Sequence, residues 1–444
     1  MIYYQRGGAN EVIADEELRA GLSEALRSIG PRQRVCVVPP DFTRFHSRAG
    51  SITKYLWEYY GAAIVDIIPA LGTHRPMKRV EIETMFPDMP QELFREHKWR
   101  SDTITLGKVP SAFISKLIEN AFEYDWPAQL NRLLCEGSYD LIVSPGQVVP
   151  HEVFGMANHA KNIFIGTGGG EGIHRSHFLG AVYGMERIMG RIDNPVRAVI
   201  DYALREFAAE LPILYALTVL GREKGGNLVV RGFFVGDGRE CFEKASTLSA
   251  EINIEVVEKP IKKCVTYLNP KKFRSTWLGN KAIYRTRMAM ADGAELIILA
   301  PGIKKFGEDR EIDLLIRKFG YHGTEKILSE LRNKEELRTN LAAAAHLIHG
   351  SSENRFKITY APGFLSRDEC ESVGFEYAPP ETMLKKYNPL KLNPGWNLVD
   401  AEEIYYVADP TLGLWVQRDS NVRTREESKL NRSAGCRKNP ESGD

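Results

Sequence analysis

Cysteine is scarce in this sequence and never paired. The six cysteines, Cys36, Cys135, Cys241, Cys264, Cys370 and Cys436, are widely scattered and form no Cys-x-x-Cys unit. That spacing excludes a cysteine zinc site and points to reduced thiols in a cytoplasmic protein. An excess of one charge is lacking too: 59 Lys and Arg against 58 Asp and Glu leave a formal net charge of +1. Such a balance gives no footprint for nucleic acid or an anionic membrane, and neither is expected as a partner. No run approaches the roughly 20 apolar residues of a spanning helix. The opening MIYYQRGGANEV has no basic segment followed by an apolar one, so no signal peptide is expected. Two familiar signatures are also missing. The cluster GTGGGEG at 166–172 has no Gly-Lys-Ser/Thr ending, and a GxGxxG register from Gly166 puts Glu171 at the last glycine. There is no HExxH and no HxH, which removes the usual zinc-hydrolase patterns.

What is present is an alternation of strands and helices. At 444 residues the chain is too long for one ordinary core, and two domains are expected. Asp15–Ile29 reads as a helix with Leu18, Leu22, Leu26 and Ile29 on one stripe, capped by Asp15 and stopped by Gly30-Pro31. Val35–Val38 is a buried strand, a helix follows near Ile52–Tyr60, and Ala63–Ile68 is the next strand. That βαβ spacing predicts parallel pairing. Tyr139–Ser144 and Asn162–Ile165 read as further short strands. Asn194-Pro195 opens a helix to about Leu211, and Ile213–Leu220 with Leu228–Val235 reads as a hairpin around GREKGGN. A helix near Arg239–Ile252 closes this half. Alternation resumes with strands at Cys264–Leu268, Glu295–Leu299 and Phe356–Tyr360, and with helices near 281–291, 309–319, 323–348 and 366–373. The expected division is an N-terminal α/β domain at 1–259, a C-terminal α/β domain at 260–400, a return segment at 401–418 and a polar tail at 419–444. The fold class is thus α/β, two domains with mainly parallel sheets and the site at their interface.

The chemistry concentrates between Pro145 and His177. His151, His159, His174 and His177 supply imidazoles there, Lys161 an amine, and 166–172 a glycine-rich connection. Three strand exits carry polar residues: Asp41 and Arg44, then His74 and Arg75, then His151. Open α/β sheets place ligands outside the carboxyl ends of their strands. His74 and His151 on separate exits can face one another across a substrate, and imidazoles titrate near neutrality, so such a pair moves protons from either side. Glycines at 166–172 let backbone N–H groups approach an anion, while His174 and His177 share a metal if that stretch is helical. On spacing alone, the residues reach a metal or cofactor site with histidine acid–base groups.

The ordered set Asp41-x-Thr43-Arg44, Gly72-Thr73-His74-Arg75-Pro76, Pro150-His151, Lys161 ten residues on and His177 sixteen further resembles the nickel-dependent lactate racemase family of 2-hydroxyacid racemases and epimerases. The likeness extends to about residue 410. It implies an isomerase with a nickel-pincer nucleotide, a modified pyridinium mononucleotide carrying nickel and joined covalently to Lys161. Thr73, Gly166 and Gly168 would line that cofactor, which places it in the N-terminal domain, and His177 would be the protein's nickel ligand. His74 and His151 would be the acid–base pair, one taking the hydroxyl proton while C2 passes a hydride to the cofactor. Asp41 would orient the machinery, and Arg44 would bind the substrate carboxylate with Lys281 and Trp277 completing the substrate pocket. Implied partners are a small 2-hydroxyacid and cofactor-building proteins, and a homo-oligomer is compatible.

Three positions depart from the family pattern. His159-Ala160 stands where a Gly-Gly pair usually precedes the lysine, Phe42 where histidine is common, and Leu278 where the lactate enzymes carry glutamine. These changes point to a different substrate, a sugar acid of gluconate or mannonate type rather than lactate. His159 so placed can also compete for the metal. The alternatives left open are a metal-dependent hydrolase or lyase on the same histidines and a non-catalytic nucleotide-binding homologue.

Overall fold

The computed structural model describes residues 1–118, 124–223, 226–411 and 413–418. The polar tail and part of the 221–227 turn lie outside the described residues. Two six-stranded sheets organise the chain. The first contains β1 (Ile2–Gly7), β2 (Val35–Val37), β3 (Ile64–Ile67), β4 (Leu141–Gln147), β5 (Ile213–Arg222) and β6 (Leu228–Gly236), in the order β1-β6-β5-β4-β2-β3. Strands β3, β2, β4 and β5 are parallel neighbours, as their helical crossovers require, while β5-β6 and β6-β1 are antiparallel. The second sheet holds β7 (Ile261–Tyr267), β8 (Met290–Ala300), β9 (Phe356–Pro362), β10 (Glu376–Tyr377), β11 (Gly395–Val399) and β12 (Glu402–Val407), in the order β10-β9-β8-β7-β12-β11. Only β11-β12 is antiparallel there. Beyond it, Leu414–Gln417 returns to pair in parallel with Ile254–Val257.

The α/β class and the mainly parallel sheets are therefore as the periodicity indicated. Several local readings are corrected. Asn162–Ile165 is not a strand: Ala160–Phe164 forms one short helix. A four-residue apolar run cannot tell strand from buried helix. Here Asn162 Nδ2 is drawn to Val38 O (3.0 Å) and Ser144 Oγ (2.8 Å), which docks the helix on the ends of β2 and β4. Asp15 is the first helical residue, not the cap, which is Ala14. The helix from Pro195 stops at Phe207, and the one from Lys281 stops at Thr286. The 323–348 stretch breaks into Thr324–Asn333, Glu335–Thr339 and Leu341–His349. Asn340 causes the last break, because its side chain accepts from Ala343 N and starts a new helix. The described cysteines are all free thiols. Among the described residues no helix is long and apolar enough to cross a membrane.

One apolar cluster joins the two halves. Phe178, Ala181 and Met185, on and just after the helix Gly170–Tyr183, pack with Ile283, Leu347 and Ile348 of the second half. In that core His346 lies between two tyrosine hydroxyls, Tyr284 at 2.9 Å from Nδ1 and Tyr321 at 3.0 Å from Nε2. Burial lowers His346 and His349 to about 3. Both are neutral in the fold and titrate near 6.5 when unfolded. Their contribution is complete above about 6.5 and is lost as pH falls towards the folded value. Acidification from pH 6 to 5 should therefore cost roughly 2 kcal/mol from these two residues. Urea unfolding at the two pH values checks this, and a His346→Gln, His349→Gln double variant should flatten the slope.

Candidate active site

The exits of β2, β3 and β4 bring the predicted polar residues together. After β2 the chain enters a 3-10 turn, Phe42–Ser47, with Asp41 before it and Arg44 at its kink. Asp41 is buried and accepts on both oxygens, from Thr43 Oγ1 at 2.5 Å and from His74 Nδ1 at 2.7 Å. Burial pushes the Asp41 carboxyl up, but His74, Thr43 and Arg44 outweigh it and hold the group below its ordinary value. An ionised Asp41 fixes the proton of a neutral His74 on Nδ1, which leaves Nε2 as a lone-pair acceptor on a ring 51% exposed. That is the orientation a general base needs.

His151 is arranged differently. It lies in the two-residue strand Pro150–His151, and Val153 N–H donates to its Nδ1 at 3.1 Å. The neutral ring must then carry its proton on Nε2. Burial lowers this imidazole well below its ordinary value, with Glu152 opposing and Lys161, Arg285 and Arg44 adding to the effect. His74 thus presents an acceptor and His151 a donor.

Lys161 sits in the first turn of the docked helix Ala160–Phe164. Burial lowers its amine to about 8, with Arg44 lowering it further and Glu152 and Asp41 opposing. Lys281, opening a helix after β7, is lowered to about 7, by burial first and then by Arg44. Among the described residues neither amine has a hydrogen bond or ion pair. His177 lies on the helix Gly170–Tyr183, where its Nδ1–H donates to Ile173 O at 2.7 Å. Its Nε2 is then a free lone pair on a neutral ring, the form in which imidazole binds a metal. The rings of His151 and His177 both contact Phe154, at 5.5 and 6.1 Å between centroids. Among the described residues no three His, Cys, Asp or Glu converge to hold a metal ion.

Other expected residues are placed elsewhere. His159 turns away from the cluster: its ring stacks on Phe242 (5.1 Å) and lies against Tyr215 (4.4 Å), with Asp201 Oδ1 at 3.9 Å. It is therefore not positioned beside His177. His174 packs edge-on to Trp99, and Trp277 lies on His346 at 4.3 Å between centroids. Thr73 is exposed in its loop. Gly166 and Gly168 have packing reasons of their own, since a Cβ would stand 2.2 Å from Asn162 O or 1.8 Å from Phe164 O. Arg75 pairs with Glu81.

Four residues of this region were not singled out from sequence. Glu152 is a buried carboxylate held well below its ordinary value despite burial, by His151, Arg285 and Lys281. Arg285, 1% exposed, donates to Pro150 O at 2.5 Å and lies 3.4 Å from Glu152 Oε2, tying the second half to the His151 strand. His46 lies two residues past Arg44 and feels its charge, and Gln147 lies beside His46. The signals available were the acid beside His151 within an apolar run and the i, i+4 spacing of Lys281 and Arg285.

Part of this chain matches a known family model, and its fold is shared by solved structures. Residues 13–188 match the family model described as the lactate racemase N-terminal domain. That segment is similar to the lactate racemase N-terminal domain. A crystal structure of a Thermotoga maritima protein superposes with a TM-score of 0.79 at 24% identity, covering 93% of this chain and 100% of that one. The lactate racemase apoprotein from Thermoanaerobacterium thermosaccharolyticum superposes with a TM-score of 0.66 at 17% identity, covering 93% and 94%. Both likenesses establish a shared fold along nearly the whole chain. No curated protein sequence matches.

Two expected outcomes follow from this geometry. A small amine reagent at pH 7.5, followed by peptide mass mapping, should modify Lys161 and Lys281 ahead of exposed lysines. Amines at about 8 and 7 are substantially neutral there, whereas ordinary ones near 10.4 are not. The second concerns His159, whose φ of 57° and ψ of −137° suit glycine. His159→Gly removes strain of about 1–3 kcal/mol but forfeits a buried ring worth about 3–5 kcal/mol. The variant should be net destabilised in urea, by roughly 2 kcal/mol.

Proposed function

We propose that this protein is a 2-hydroxyacid racemase or epimerase that works with a nickel-pincer nucleotide tethered to Lys161, its site lying between an N-terminal and a C-terminal domain. The observation carrying this reading is the pairing of an unpartnered amine of lowered pKa, Lys161, with the free Nε2 of His177, in one electrostatic cluster with the Asp41–His74 pair. The residues present fit such a group. Lys161 would anchor it and His177 would give the protein's one nitrogen to nickel, a neutral imidazole suited to that ion. When bound, the group supplies a hydride acceptor for C2 of the substrate.

The chain's own residues do the rest. Arg44 and Lys281 hold the substrate carboxylate, the planar guanidinium giving it a fixed direction. His74 takes the hydroxyl proton at Nε2, and Asp41 steadies the resulting imidazolium. His151 meets the oxygen on the other side as a donor through Nε2–H. It becomes a base there only when its Nδ1 exchanges the Val153 N–H bond for a proton of its own. The departures at Phe42 and Leu278 support a substrate other than lactate, a sugar acid of gluconate or mannonate type. A metal hydrolase or lyase finds less support, because its metal would need several protein ligands and, among the described residues, no three His, Cys, Asp or Glu converge. Lys161 would also have no task in such an enzyme.

Intact-protein mass spectrometry tests the reading, on protein produced together with cofactor-building proteins. A nucleotide-sized mass increment with bound nickel should appear, and should vanish in Lys161→Ala. An unmodified mass under conditions that load a known lactate racemase would overturn the tether.

A further inference from the structure

Two buried polar groups near Arg44 are left unused by the reading above. His46 lies on the same 3-10 turn as Arg44, and its Nε2 is buried without a hydrogen-bond partner. Gln147, the last residue of β4, is 6% exposed, and its Oε1 is likewise buried and unpartnered. The amide lies close enough to raise the ring's proton affinity, yet His46 Nε2 and Gln147 Oε1 do not meet in hydrogen-bond geometry. Burial, followed by Arg44 and Lys272, lowers His46 to about 4, so the ring is neutral at working pH.

The second sheet brings charged groups towards His46 from its own strand exits. Lys272, after β7, is held by Asp409 Oδ2 at 3.2 Å and Thr411 Oγ1 at 2.6 Å, both after β12. Lys272 and Asp409 both act on His46, and Lys272 also acts on Lys281. Arg44 acts on His46, Lys161 and Lys281 alike. His46 and Lys281 thus lie within electrostatic reach of the same two cations, Arg44 and Lys272.

Buried polar groups without partners in the protein are ordinarily satisfied by water or by a ligand. A hydroxyl group fits these two because it donates and accepts, and so can serve the amide oxygen and the neutral imidazole together. A methyl group leaves both unpaired. A second carboxylate, which only accepts, leaves the amide oxygen facing negative charge. We propose that His46 and Gln147 form a subsite for chain hydroxyls, beside the carboxylate held by Arg44 and Lys281, and that it selects a polyhydroxylated 2-hydroxyacid over lactate. This inference rests on the hydroxyacid reading and adds the residues that choose among such acids.

Equilibrium binding of D-gluconate and D-lactate to the loaded, full-length protein at pH 7.5 provides the test. Gluconate should bind at least tenfold more tightly than lactate. His46→Leu and Gln147→Leu should each weaken gluconate at least fivefold and leave lactate unchanged, with thermal unfolding showing that the variants are folded. His46→Gln, which keeps a donor and an acceptor, should retain most of the preference. Equal affinity for the two acids, or equal losses for both in the variants, would overturn the subsite and leave the hydroxyacid reading standing. Failure of both acids to bind, with Arg44→Met indistinguishable from the parent, would overturn both.

Discussion

The site depends on buried basic groups that two carboxylates keep in place. Burial first, and then the charge of Arg44, lowers the proton affinity of Lys161, Lys281 and Arg285. Opposing them are Asp41, bonded to His74, and Glu152, which faces His151, Arg285 and Lys281. Removing either carboxylate would leave cations buried without compensation, a more damaging change than losing one contact. A carboxylate arriving there would raise the proton affinity of both lysine amines, which is a physical reason to propose an acidic substrate on a chain of nearly neutral total charge.

That charge cluster rests on the fold at both ends. Parallel strands deliver their exits to one edge, so Asp41, His74 and His151 arrive together although the sequence separates them widely. The second sheet delivers Lys272, Lys281 and Asp409 by the same rule. Arg285 then fastens the halves through Pro150 O and Glu152, and the apolar packing of Phe178 and Met185 on Ile283 and Leu347 supports the same junction. Asn162 fixes the helix that carries Lys161 onto β2 and β4. The His151 strand and the Lys161 helix are thus each held by a neighbour outside the proposed acid–base pair.

Much of this was legible in the sequence because it follows from periodicity. The parallel strands, their exits and the polar residues on them are local patterns with regular spacing. The helix around Lys161 was misread because its apolar run is too short to show a period, and tertiary bonds from Asn162 decide it. The roles of Glu152, Arg285, His46 and Gln147 were illegible for another reason. Their meaning lies in charges and orphaned atoms brought from distant parts of the chain, which no window of residues displays. His159 shows the reverse case. Its place in a catalytic-looking stretch suggested a ligand, whereas positive φ at Asn158 and His159 turns the ring into an aromatic cage.

The central claim is that Lys161 and His177 together hold a nickel-bearing group, with one imidazole as the protein's nitrogen donor. X-ray absorption at the nickel edge, on loaded protein and on a His177→Ala variant, tests it most directly. The account predicts scattering from a single imidazole in the parent and its loss in the variant. Nickel bound by two or more imidazoles, or an unchanged spectrum in His177→Ala, would contradict it.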